Sequence, residues 1–200
     1  MKVIELSKKF KNEEILKGIT YTFKKNNIYG LVGRNGSGKS VFFKILSKFL
    51  EPTSGKIDYE GEEVNEMIEL PKFIEYMTGM ENIKLIFEFR EGKFTPEMHE
   101  KVCSYMKKLN FLEYKDQKVY KYSQGMKQML YLIKVLASDD KIILLDEPLN
   151  GIAKENKNYL LSVIREFAKD KIVIISSHRE EDIKKICNVI INIEDGEFIV

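Results

Sequence analysis

Apolar runs in the second half of this chain alternate with amphipathic stretches, and the two patterns predict strands and helices respectively. Runs rich in isoleucine and valine predict strands at residues 142–145, 172–175 and 189–193. Helical patterns at 155–169 and 179–186 lie between them. Continuously apolar strands that alternate with helices are typical of a parallel sheet with helices on both faces. The second half therefore predicts an α/β fold.

The first part of the chain predicts shorter, partly alternating strands. Residues 3–6, 19–23 and 28–32 read as strands, and the second alternates apolar and polar side chains. Residues 56–59, followed by the turn at Glu60-Gly61, predict a small hairpin. We expect a small antiparallel β subdomain at the amino terminus.

The middle of the chain, residues 71–122, is helical in pattern and contains no strand-like apolar run. Thr95 followed by Pro96 predicts a helix start, because threonine caps a helix and proline suits its first position. The prediction is one domain over residues 1–200. Its core comprises 1–70 and 123–200, and a helical subdomain, 71–122, is inserted between them.

Composition limits the possible functions without choosing among them. Hydrophobic residues make up 44% of the 200 residues, and the formal net charge of +2 gives no field that favours nucleic acid. Apolar runs stay shorter than the roughly 18–20 residues needed to span a bilayer. The amino-terminal sequence meets charge too early for a signal peptide.

Residues 33–40, Gly-Arg-Asn-Gly-Ser-Gly-Lys-Ser, spell a complete phosphate-binding loop between a strand and a helix that is expected to run to about residue 50. Gly36 and Gly38 allow the backbone N–H groups to curl around an anion at the helix start. Lys39 is expected to reach the β- and γ-phosphates, and the Ser40 hydroxyl to hold Mg²⁺. The loop predicts nucleotide binding.

Two carboxylates end the strand at 142–145. Asp146 suits a Mg²⁺ partner, and Glu147 could orient a water molecule and accept its proton. Two surface acids after a strand are the alternative interpretation.

Three further features add to the site. Ser123 and Gly125 begin an apolar helix some twenty residues before Asp146, which gives a second anion-binding helix terminus. His178 follows the strand at 172–175, at the edge of the sheet where ligands bind. Phe10 either stacks on a purine base or belongs to the core, and both interpretations stay open.

In this order the motifs resemble the ATP-binding subunit of ABC transporters over nearly the whole chain. The resemblance implies that nucleotide is bound by Phe10, Gly33, Asn35, Gly36, Ser37, Gly38, Lys39, Ser40 and Val41, with Ser123 and Gly125 as the signature. It implies that Mg²⁺ is held by Ser40, Glu69 and Asp146, and that Glu147, His178 and Lys39 are catalytic. Phrases at 68–73 and 78–82 are similar to the branch that exports bacitracin, lantibiotics and related peptides.

The resemblance also implies partners and location. Two subunits face head to tail around two ATP molecules, and the signature of one meets the phosphate loop of the other. The dimer, homomeric or heteromeric, would power a separate permease at the cytoplasmic face of the membrane, with no transmembrane segment of its own. A soluble ABC ATPase that acts on ribosomes or DNA is the alternative, although the nearly balanced charge does not favour it. A P-loop kinase or GTPase would leave the signature helix and His178 without a role.

Two positions depart from the family pattern. Glu69 stands where the family usually has glutamine, and it would add negative charge near the phosphates. Ala153 stands where the family usually has an aspartate that contacts the opposite subunit. The second departure predicts weaker coupling across a homodimer, or a heterodimer whose partner supplies a better site.

Overall fold

The structure, a computed structural model, describes residues 1–68, 71–150, 154–178 and 180–199, with the backbone alone at 154–156 and 182. The strands of these residues are β1 Lys2–Phe10, β2 Glu13–Thr22, β3 Asn27–Val32, β4 Ser54–Asp58, β5 Val64–Met67, β6 Ile142–Asp146, β7 Ile172–Ser177, β8 Val189–Glu194 and β9 Glu197–Ile199. The helices are α1 Lys39–Leu46, α2 Gly79–Glu91, α3 Pro96–Lys108, α4 Gln124–Leu136, α5 Lys154–Phe167 and α6 Glu180–Ile183.

The chain divides into two compact units. The first comprises Met1–Ile68, Asp140–Asn150 and Ile164–Val200, and the second Glu69–Asp139 and Gly151–Val163. The predicted helical subdomain, 71–122, lies within the second unit. That unit also takes in α4, which the sequence had grouped with the nucleotide-binding core.

A three-stranded antiparallel sheet in the first unit has the order β2-β1-β4. Val3 of β1 pairs with Tyr21 of β2 on one side and with Ile57 of β4 on the other. The predicted antiparallel subdomain is therefore present. The predicted hairpin after residue 56 is wrong, because β4 pairs with β1, whereas β5 pairs with β6 through Val64 and Ile142.

A six-stranded sheet in the same unit has the order β5-β6-β7-β3-β8-β9. Its strands pair in parallel, except that β9 turns back antiparallel to β8. This arrangement confirms the predicted α/β fold with a mostly parallel sheet. Because β6, β7 and β3 are neighbours and run in the same direction, the residues that follow each of them meet at one edge.

The core of the first unit consists of apolar side chains from both sheets and α1. The largest of those that are almost completely buried are Met1, Leu6, Leu16, Phe23, Leu31, Phe42, Phe43, Ile45 and Leu46. At roughly 25 cal/mol per Å² of buried apolar surface, such a core is the main stabilising contribution to the fold. It anchors β3 and α1, and thereby both ends of the loop between them.

The helical unit is built from capped helices. Thr78 and Thr95 accept hydrogen bonds from the backbone N–H groups of Glu81 and Met98, so α2 and α3 begin where capping chemistry predicts. Val102 and Met106 of α3 are fully buried.

The helices are short. α1 ends at Leu46 rather than near residue 50, because Lys48 adopts a positive φ of 65° and the N–H groups of Phe49 and Leu50 both bond to the Lys44 carbonyl.

Within the described part of the chain, no helix combines the length and the apolar character that crossing a bilayer requires.

Candidate functional site

The loop between β3 and α1 has the backbone conformation that its glycines predict. Gly36 and Gly38 adopt φ values of 83° and 104°, and Gly38 caps α1 in the left-handed region. Among buried side-chain polar atoms of the described residues, Ser37 Oγ is the one that has no hydrogen-bond partner. A loop with free amide groups at a helix start and an unsatisfied hydroxyl is suited to an anionic ligand.

Lys39 opens α1 and turns back over this loop. Its side chain is only 7% exposed, and Nζ donates hydrogen bonds to the carbonyl oxygens of Gly33, at 2.6 Å, and Arg34, at 3.0 Å. Burial lowers the pKa of the Lys39 ammonium, and the negative charges of Glu147 and Asp146 act in the opposite direction. The lysine is thus a mostly buried cation whose ammonium group is held by loop carbonyls.

Asp146 ends β6 beside α1. Its Oδ2 accepts a hydrogen bond from Ser40 Oγ at 3.3 Å, and its Oδ1 accepts one from Ser176 Oγ. Burial raises the pKa of the Asp146 carboxyl, and the Ser176 hydrogen bond opposes that rise. A hydroxyl and a carboxylate oxygen side by side are hard ligands that suit Mg²⁺.

Glu147 follows Asp146 with a positive φ of 49°, which is uncommon for a residue other than glycine. Its two carboxylate oxygens both lie 3.0 Å from Nδ1 of His178, so the imidazole N–H can donate to the carboxylate. The strained turn after β6 directs one acid toward α1 and its neighbour toward the end of β7. Two adjacent carboxylates therefore have separate partners.

These side chains meet in one cleft of about 650 Å³. The cleft is lined by Glu13, Ile15, Asn35, Gly36, Gly38, Lys39, Ser40, Val41, Asp146, Glu147, Asn150 and His178. A second cavity, of about 510 Å³, adjoins the same loop and is lined by residues 32–37, His178 and residues 192–195. The structure thus brings together the predicted phosphate-loop, acidic and histidine residues of the first unit.

The remaining predicted residues lie elsewhere. Ser123 caps α4 in the second unit, where its Oγ accepts a hydrogen bond from the Met126 N–H at 3.2 Å, and Gly125 lies in the first turn. Glu69 and Ala153 lie outside the described residues.

Phe10 is at the end of β1 and is 45% exposed, so the core interpretation of this residue is wrong. Lys8 Nζ lies 5.0 Å from its ring centroid, over the aromatic face. Phe10 does not line the 650 Å³ cleft. An exposed ring on a strand end is available for stacking.

Ser176 is the residue that sequence reasoning missed. It is completely buried at the end of β7, directly opposite Asp146 in the parallel pairing of β6 with β7. Its hydroxyl contacts both Asp146 and the backbone of Glu147. The sequence feature that could have indicated Ser176 is a polar residue at the end of an otherwise apolar strand, two positions before His178.

Comparison with known proteins places this site in a family context. The chain matches the family model described as ABC transporter over residues 16–150. It is 32% identical to the uncharacterized ABC transporter ATP-binding protein YybJ of Bacillus subtilis (strain 168), over 98% of this chain and 93% of that protein. It is 27% identical to the lantibiotic transport ATP-binding protein SrtF of Streptococcus pyogenes, over 100% of this chain and 89% of that protein.

Solved structures share the fold. An ATP-binding subunit of an ABC transporter aligns with a TM-score of 0.89 at 20% identity, covering 100% of this chain and 88% of the other. A dimeric ATP-binding cassette in a post-hydrolysis state, bound to ADP and Pi, aligns with a TM-score of 0.86 at 20% identity and covers 100% and 96%. At such identities the likeness shows the fold alone.

Proposed function

This chain belongs to the ABC transporter family of ATP-binding proteins, and we propose that it dimerises around ATP and powers a separate membrane permease. It is an ATPase of the ABC type, as its family membership implies. The observation that carries the proposed site is the cleft in which Lys39, Asp146, Glu147 and His178 converge.

The reaction assigned to this cleft is attack of water on the γ-phosphorus, with cleavage of the bond to the β-phosphate oxygen. Glu147 accepts the proton of the attacking water, and His178 holds the Glu147 carboxylate through the 3.0 Å contact. Lys39 exchanges its bonds to the loop carbonyls for the β- and γ-phosphates. The loop amides between Gly33 and Ser40 cradle the same phosphates.

Charge neutralisation at the phosphates is the chemistry that a bound Mg²⁺ supplies. Ser40 Oγ and Asp146 Oδ2 fit that ion, because they are oxygen donors 3.3 Å apart within the cleft. Glu69 is proposed as a third Mg²⁺ ligand, on the family resemblance alone.

Ser123 and Gly125 are proposed to act on ATP that is bound by a second subunit. The support is their position at the start of α4, where Ser123 is exposed and free amides of the first turn can meet an anion. A relative of the same fold is described as a dimer bound to ADP and Pi. Ala153 favours a heterodimer, because this subunit would lack the aspartate that in the family usually contacts the opposite subunit.

The permease is proposed to export a peptide or antibiotic-like substrate, and this subunit to lie peripherally at the cytoplasmic face of the membrane. The lantibiotic transport protein among the relatives supports this class of substrate.

Affinity purification of the tagged Glu147→Gln chain, in mild detergent with Mg-ATP, is expected to recover a polytopic membrane protein. Arrest of hydrolysis holds the ATP-bound dimer together, and so stabilises the assembled complex. Mass spectrometry identifies what co-purifies, and the tagged Lys39→Ala chain is the control. Ribosomal or DNA-bound proteins without any membrane protein would instead support a soluble ABC ATPase.

Phe10→Ala is expected to weaken ATP binding about five- to 150-fold. Base stacking on an aromatic ring is worth about 1–3 kcal/mol, which corresponds to that range of Kd. Titration with a fluorescent ATP analogue measures the loss, and Phe10→Tyr should retain affinity because it keeps an aromatic face.

Phe49→Ala is the matched control for Phe10, because Phe49 is also an exposed phenylalanine, at 66%, but follows the carboxyl end of α1, whereas the phosphate loop lies at the amino end of that helix. If the Phe10→Ala, Phe49→Ala and unmodified chains bind the ATP analogue with equal affinity, Phe10 does not contribute to nucleotide binding.

A further inference from the structure

Ser176 is a buried hydroxyl with two partners that both belong to the acidic turn after β6. Its Oγ donates to Asp146 Oδ1 and accepts a hydrogen bond from the backbone N–H of Glu147 at 3.0 Å. The residue is 0% exposed, so water does not compete for either contact. One hydroxyl therefore bonds simultaneously to the side chain of one acid and the main chain of the next.

The first contact fixes the direction of the Asp146 carboxylate. Because Oδ1 is occupied by Ser176, Oδ2 is the oxygen that lies toward Ser40 Oγ, at 3.3 Å. Rotation of the carboxylate about its Cβ–Cγ bond would break the hydrogen bond from Ser176. The hydroxyl thus fixes the plane of the carboxylate, and with it the direction in which the other oxygen points toward Ser40.

The second contact stabilises an unusual backbone. Glu147 has a φ of 49°, a conformation that costs free energy for a residue with a side chain and persists only where its surroundings hold it. Only a group that donates and accepts at the same time can serve Asp146 and the Glu147 N–H together, and a serine hydroxyl does so. The Glu147 side chain then reaches His178, two residues beyond Ser176.

We propose that Ser176 is a positioning residue for hydrolysis, which holds the Asp146 carboxylate toward the metal ligand Ser40 and the Glu147 backbone in its strained turn. This role rests on the functions proposed above for Asp146 and Glu147. Ser176 lines neither of the two cavities beside the phosphate loop, so it acts through the two acids. It also links β7, which leads to His178, with β6, which leads to both acids.

The test compares Ser176→Ala with Ser176→Thr, which keeps a hydroxyl, and with Ser138→Ala. Ser138 is a matched control because it is also buried, while its hydroxyl bonds to the Val135 carbonyl at the end of α4. For each chain, kcat and KM are measured, together with the affinity for a fluorescent ATP analogue in EDTA and in MgCl₂. The melting temperature reports folding separately.

Ser176→Ala is expected to bind nucleotide in EDTA as tightly as the unmodified chain does. In MgCl₂ its affinity for nucleotide should be about tenfold lower than that of the unmodified chain. Its kcat should fall about ten- to a hundredfold, and Ser176→Thr should recover most of both losses. Ser138→Ala should match the unmodified chain in nucleotide binding and turnover.

Two results would overturn the proposal. One is unmodified kcat and Mg²⁺ dependence in Ser176→Ala. The other is an equal loss of binding in EDTA and MgCl₂ with a lowered melting temperature, which indicates a purely structural role. Turnover by Glu147→Gln is measured in parallel. If it equals that of the unmodified chain, the catalytic role proposed for Glu147 fails, whereas its loss beside an undisturbed Ser176→Ala overturns the role of Ser176 alone.

Discussion

Glu147→Gln is expected to retain ATP binding and to lose hydrolysis by about 10²–10⁴-fold, the contribution typical of a general base. The amide keeps the size of the side chain and still accepts a hydrogen bond from His178, but it cannot take a proton from water. The phosphate loop and Lys39 are unaltered, so nucleotide affinity should stay within a few-fold. Phosphate release under saturating Mg-ATP measures the loss, and equilibrium binding of a fluorescent analogue measures what is retained.

Glu14→Gln makes the same chemical change outside the cleft and is the control. Glu14 lies on β2, and its carboxylate lies 3.6 Å from Lys9 Nζ at the surface, where an ion pair contributes little. Turnover of this variant should equal that of the unmodified chain. Hydrolysis by Glu147→Gln at the unmodified rate would contradict the assignment and leave Glu147 as a structural acid.

Local sequence was sufficient to predict the phosphate loop and the acidic strand. Both depend on neighbouring residues: the glycines set the loop backbone, and the apolar run of β6 places Asp146 at its end. The contact between Glu147 and His178 was not specified by either motif, but it follows once β6 and β7 are parallel neighbours. The order of strands in the sheet therefore decides part of the site, and the local motifs do not specify that order.

The errors arose where distant residues decide the structure. β4 and β5 are close in sequence, yet their hydrogen-bond partners are β1 and β6, which local alternation does not reveal. Ser176 was missed for the same reason, because its contact with Asp146 depends on the register in which β6 pairs with β7. The early end of α1 depends on the positive φ of Lys48, and a lysine side chain does not predict that backbone conformation.

Lys39→Ala is expected to abolish most nucleotide binding, with a loss of about 30- to 150-fold in affinity. Charge-assisted hydrogen bonds to phosphate are worth about 2–3 kcal/mol, which gives that range. The effect should be large here because the ammonium is mostly buried, and a desolvated cation gains more from an anionic partner than an exposed one does. Binding of a fluorescent ATP analogue in EDTA measures this contribution without Mg²⁺.

Because Nζ of Lys39 also bonds to the Gly33 and Arg34 carbonyls, the alanine variant alone would confuse loss of charge with a disordered loop. Lys39→Met fills similar volume but also lacks the charge and both hydrogen bonds, so it separates the role of the ammonium from that of side-chain packing and should lose as much affinity as alanine. The melting temperature of each variant reports disorder separately. Lys44→Ala, a change on the same helix outside the cleft, should bind normally. Unchanged affinity in both Lys39 variants would mean that the loop amides alone hold the phosphates, and that the buried ammonium stabilises only the loop to which it is bonded.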